Sequence, residues 1–108
     1  MSFLSLDLGT TVCKASLFTK EGKLLTLLRE EYPIISIRSN WAEQNPEVVW
    51  KKVQEVIIRI AKENPTKETI ESICISAQGE AVTFLDGKGR PLRNSILGMD
   101  MRLSLIHI

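Results

Sequence analysis

An α/β domain built on a mixed sheet is the fold class this sequence predicts, and three observations predict it. Three short apolar runs near the N-terminus are separated by tight polar turns, as in an antiparallel meander. One stretch of helical period follows, and then a further apolar run. A strand–helix–strand step implies a crossover, so the run after the helix should lie parallel to the first strand, with a right-handed connection. A hairpin inserted after that parallel strand completes the pattern.

The bulk numbers agree with one modest domain. The chain has 108 residues, 44% of them apolar and 25% charged, which is ordinary for a soluble globular protein. A net charge of +1 argues against a nucleic-acid-binding field and against an acidic solvating tail. Cys13 and Cys74 lie far apart, each inside an apolar run, and read as small buried core residues in a reducing compartment. They are too few for a four-cysteine metal site and lack the spacing of a redox pair. No apolar run approaches membrane-spanning length. Met1-Ser2-Phe3 carries no basic segment and Asp7 interrupts the apolar start, so no secretory signal is expected and the cytoplasm is the default.

Leu4 to Leu8 reads as a buried strand that ends in the polar turn Gly9-Thr10-Thr11. Val12 to Phe18 is the second strand. Asp7 sits where the first strand runs out, and Gly9 supplies the freedom for a sharp reversal. One carboxylate beside hydroxyls and consecutive backbone N–H groups is the chemistry of a metal–phosphate site. The same residues also suit an ordinary hairpin in which they only satisfy the turn. Lys20 to Lys23 is a Gly-containing turn, and Leu24 to Arg29 is the third strand. Pro33 cannot donate to a ladder, so Ile34 to Ile37 is expected to continue only an edge. Asn45 is a good N-cap, Pro46 fits the first helical position and Glu47 suits the positive helix end. The helix is expected from Pro46 to about Glu63, with Val49, Val53, Val56, Ile57 and Ile60 as its core stripe. Trp41 suits either packing on a neighbouring loop or lining a pocket, and packing is the expectation. Ile70 to Ser76 is the expected buried parallel strand. Ser76 to Glu80 follows at its carboxyl end, where open α/β sheets place ligands. Ala81 to Leu85 and Leu92 to Leu97 pair as the inserted hairpin. Asp100 and Arg102 then add a second carboxylate and a guanidinium.

Four blocks in this order resemble the N-terminal domain of the FGGY family of carbohydrate kinases. They are DLGTT at 7–11, WAEQNP at 41–46, ISAQGE at 75–80, and LDGKGRPLRNSILGMDMR at 85–102. The resemblance implies a ribonuclease H-like, actin-type ATPase fold and phosphorylation of a sugar or polyol hydroxyl by ATP. It implies that Asp7 binds Mg²⁺ through water and that Gly9, Thr10 and Thr11 contact ATP phosphates. Gln78 and Glu80 align with positions that bond substrate hydroxyls, although both also suit simple loop capping. Asp100 aligns with a family carboxylate near the sugar, and Arg102 with an arginine that braces the site. Gly98 stands where many members carry tryptophan, which puts the sugar class in question. A xylulose-like pentulose is the favoured acceptor.

The family's general base is an aspartate far downstream, and no residue here matches it. Residues 1–102 are therefore expected to be a truncated kinase domain, inactive alone. Residues 103–108 leave the family pattern and match one reading frame of a common sequencing-library transposon end. They are expected to be a non-native tail in which His107 has no function. A homodimer of the full-length protein stays open. Two other readings compete: a non-kinase ATPase of the actin-like superfamily, and a stand-alone interaction domain.

Overall fold

A computed structural model describes residues 1–102; the expectation about residues 103–108 lies outside them. The chain forms β1 (Ser2–Leu8), β2 (Val12–Thr19), β3 (Leu24–Glu31), β4 (Glu43–Gln44), α1 (Pro46–Lys62), β5 (Ile70–Ala77) and β6 (Ser95–Ile96). The main sheet has the order β3-β2-β1-β5. β1 and β2 are antiparallel, as are β2 and β3, whereas β5 runs parallel to β1. The meander and the crossover thus follow from turn chemistry and from the helix between strands.

Register explains the core. Leu4 faces Leu17, Leu6 faces Ala15 and Leu8 faces Cys13, so period-two alternation gathers them on one face. α1 lies over that face at β2 and β3. Val53, Val56 and Ile60 seal it, with Val49 and Ile57 partly buried beside them. The Asn45 side chain caps the helix by accepting from Glu47 N at 3.0 Å, and Pro46 opens it. On the helix exterior Arg59 and Lys52 both reach Glu30 at the end of β3.

Three expectations change, and one short strand is added. Ile34 to Ile37 does not extend β3; past Pro33 the chain turns away, and Ile35 bridges Glu43 instead. Glu43 and Gln44, to which the sequence pattern assigns no element, form β4 and pair with β6. β5 is not buried. It pairs on one side only, and Ile73 and Ile75 are 53% and 61% exposed, because α1 covers β2 and β3 and no described element covers β5. Cys74, on this strand, is exposed for the same reason, whereas Cys13 is buried as expected.

The hairpin after β5 forms through Val82–Ile96 and Leu85–Pro91 bridges, closed by Asp86, whose carboxylate accepts from Lys88 N and Arg90 N. Ile96 pairs with Glu43 on its other side, so Ile35, β4, β6 and Val82 make a second small sheet. This sheet carries the segments that flank the site.

Candidate active site

The turn between β1 and β2 stands at the carboxyl end of the parallel pair. Asp7 lies opposite Lys14 and Ser76 in the sheet and is exposed. Among the described residues its carboxylate has no hydrogen-bond or ion-pair partner. Gly9 donates its N–H to Val12 O at 2.9 Å, and a Cβ at Gly9 would sit 2.9 Å from that same oxygen. Only glycine lets the turn close so tightly. The Gly9 amide is therefore used within the turn, which leaves Thr10 and Thr11 to present donors.

Three successive turn carbonyls face the protein. Gly9 O accepts from the Tyr32 hydroxyl, Thr10 O from Gln44 Nε2 at 2.7 Å, and Thr11 O from Tyr32 N at 3.0 Å. Tyr32 and Gln44 are buried. Burial pushes the Tyr32 phenol up to about 12, with the nearby Cys13 and Asp7 adding to the shift, so it stays a donor at neutral pH. Sequence reasoning missed both residues. A tyrosine before Pro33 and a glutamine before a helix cap carry no periodic signal.

Across from the turn, Gln78 continues the ladder by donating its N–H to Leu8 O at 3.0 Å. Its Oε1 accepts from the Thr10 hydroxyl at 3.2 Å. Thr10, Gln78, Gly79, Glu80, Gly98 and Met99 line a cleft of about 370 Å³. One carboxylate and one amide there, with no cation in the lining, suit a neutral polyhydroxylated molecule. A larger groove of about 520 Å³ runs between β5 and α1, but its lining has no charged residue; it is uncovered core face.

Asp100 is not brought into that cleft. It is 2% exposed, and each oxygen takes two protein donors. Oδ1 accepts from Arg102 N and Nε, both at 2.9 Å; Oδ2 accepts from Ala42 N and Arg102 Nη2, both at 2.7 Å. Arg102 also reaches Glu43 at 2.7 Å and lies 3.8 Å from the centre of the Trp41 ring. Arg93 and Asn94 complete the partners of the buried Glu43. The Arg102 hydrogen bonds hold the Asp100 carboxyl well below the usual carboxylate range, and Arg102, with Asn94 and Arg93, also shifts the Glu43 carboxyl downward. This cluster ties the segment before α1 to the turn after β6. Trp41 packs against Arg102, in line with the packing expectation.

A sequence model described as the FGGY family of carbohydrate kinases, N-terminal domain, matches residues 2–107. The chain belongs to the FGGY family of carbohydrate kinases. It is 36% identical over 101 residues to a probable L-xylulose kinase of Pasteurella multocida, covering 93% of this chain and 21% of that protein. It is 36% identical over 100 residues to a glycerol kinase of Aquifex aeolicus, covering 92% of this chain and 20% of that protein. The ligand-bound xylulose kinase of Lactobacillus acidophilus superposes with a TM-score of 0.90 at 28% identity, over 97% of this chain and 21% of that one. The chain thus spans about a fifth of the length of the curated relatives it matches. The FGGY domain seen here has the expected actin-like ATPase fold, a mixed α/β sheet.

Proposed function

We propose that this protein transfers the γ-phosphoryl group of ATP to a hydroxyl of a sugar or polyol, with a xylulose-like pentulose the favoured acceptor. The observation that carries the reading is the β1–β2 turn, with its carbonyls engaged by the protein beside the free carboxylate of Asp7. Gly9 shapes that turn, and Thr10 and Thr11 meet the phosphates through amides and hydroxyls. Gln78 and Glu80 hold acceptor hydroxyls. Asp100, aligned with a substrate-side carboxylate, acts by fixing the Gly98–Met99 turn rather than by touching the sugar. The relatives named for L-xylulose and glycerol support a small neutral acceptor.

Among the described residues no group of three or more His, Cys, Asp or Glu side chains could enclose a metal. A single exposed carboxylate does fit a hydrated Mg²⁺ that arrives with the nucleotide, because Mg²⁺ keeps most of its waters. Asp7 would hold it through water, and when bound it neutralises phosphate charge. No described residue is assigned as the general base. Among the described residues no helix is long and apolar enough to cross a membrane. The reading places the protein in the cytoplasm; a homodimer belongs to the same reading and is tested by light scattering.

The deciding experiment measures phosphoryl transfer from ATP across a panel of sugars and polyols, using the protein as its gene encodes it. Activity on one acceptor, reduced about 10²-fold in Asp7→Ala, is the expected result. ATP hydrolysis that no acceptor stimulates would favour a non-kinase ATPase of the same superfamily.

A further inference from the structure

We infer that Tyr32 and Gln44 are positioning residues for the nucleotide phosphates, holding the three carbonyls of the β1–β2 turn away from the ligand. The inference rests on the kinase reading above. A phosphate approaching a tight turn meets two kinds of dipole. The N–H groups attract it, and the carbonyl oxygens repel it. In the 9–11 turn every carbonyl is drawn into the protein by one of two residues that are 4% and 3% exposed. Tyr32 makes two of the three bonds, one through its hydroxyl and one through its backbone N–H. Gln44 makes the third from β4, directly before the helix cap Asn45. The Gly9 amide closes the turn onto Val12, and no described acceptor takes the N–H of Thr10 or Thr11. The turn therefore offers its donors outward, and it does so because two distant segments grip its acceptors.

Neither residue lies among those lining the polar acceptor cleft, and both act on turn carbonyls, so their main effect falls on the nucleotide. Losing one donor leaves a buried carbonyl free to swing toward the phosphates. The test compares wild type, Gln44→Met and Tyr32→Phe in the protein as its gene encodes it. Titration calorimetry with ADP and Mg²⁺ gives nucleotide affinity, and steady-state kinetics give KM for ATP and for the acceptor. The expected result for Gln44→Met is about tenfold weaker ADP binding and a matching rise in KM for ATP, with KM for the acceptor unchanged. Tyr32→Phe keeps the ring and its backbone bond, so it remains informative if Gln44→Met fails to fold; it should show the same one-sided loss. Unchanged ADP affinity in either folded variant would overturn the inference. So would equal losses for ADP and acceptor, which mark a merely structural role. Wild-type protein that binds ADP but phosphorylates nothing would remove the kinase reading while the calorimetric comparison still decides this one. Wild-type protein that binds no ADP would overturn both.

Discussion

Gly98 sits where the backbone of one wall of the polar cleft passes close to Glu80 on the other. A Cβ there would sit 2.9 Å from Glu80 Cβ and 3.0 Å from Glu80 Oε2. The turn that carries Gly98 cannot retreat. Leu97 N bonds Ala42 O at 3.0 Å, Met101 N bonds Asn40 O at 2.8 Å, and Asp100 is locked by Arg102 and Ala42. Glu80 is exposed and makes no hydrogen bond among the described residues, so the Glu80 side must yield. Gly98→Ala is expected to raise KM for the acceptor by about 10-fold or more and to leave KM for ATP unchanged. An unaltered acceptor KM would show that Glu80 does not touch the acceptor. Asp100→Ala orphans the buried Ala42 N–H and should cost about 1–3 kcal/mol in urea unfolding. The same carboxylate sets a pH dependence. Its folded pKa is depressed, so its contribution is complete above the unfolded value of about 4 and is lost as pH falls below it. Wild-type stability should therefore drop between neutral pH and pH ~3 by more than that of Asp100→Asn. The sequence marks Gly98 as a departure from a pattern; only the approach of Glu80 says what the departure does.

At the scale of elements, α1 is the part whose formation and packing are most nearly local. Ile60 is fully buried against the sheet, and Ile60→Ala is expected to destabilise by about 2–5 kcal/mol. Asn45→Ala removes the acceptor for Glu47 N and should cost about 1 kcal/mol, read as a shift in urea midpoint. Helix period, cap and N-terminal proline are consecutive in the chain, which is why α1 is legible to within a residue of its end. β4 is the opposite case. Two residues have no period, and Glu43 and Gln44 become a strand because β6 and Ile35 lie beside them. The clamp of Glu43, Asp100 and Arg102 and the grip of Gln44 on Thr10 both hang on that pairing.

At the scale of the whole molecule, the main sheet is covered at one end and open at the other. β5 has one neighbour, and Ile73 and Ile75 face the apolar groove beside α1. An uncovered face of this kind favours self-association in water. The 108-residue chain produced alone is expected to bind an apolar dye and to scatter light as an associated species. A monodisperse, dye-silent monomer would instead support a stand-alone interaction domain.

The sequence by itself determined the meander, the succession of strand, helix and strand, the helix with its cap, and the tight turn at Gly9. Each of these is written in residues a few positions apart, where turn preference and hydrophobic period act without help from the rest of the chain. Tertiary structure alone decided what surrounds them. It placed Tyr32 and Gln44 behind Gly9, Thr10 and Thr11, drew Asp100 out of the cleft into a buried ion cluster with Arg102 and Glu43, and left Ile73 and Ile75 in the open. Those outcomes depend on contacts between residues twenty to sixty positions apart, and buried polar groups choose such partners by what the fold brings within hydrogen-bond reach, not by their neighbours in sequence.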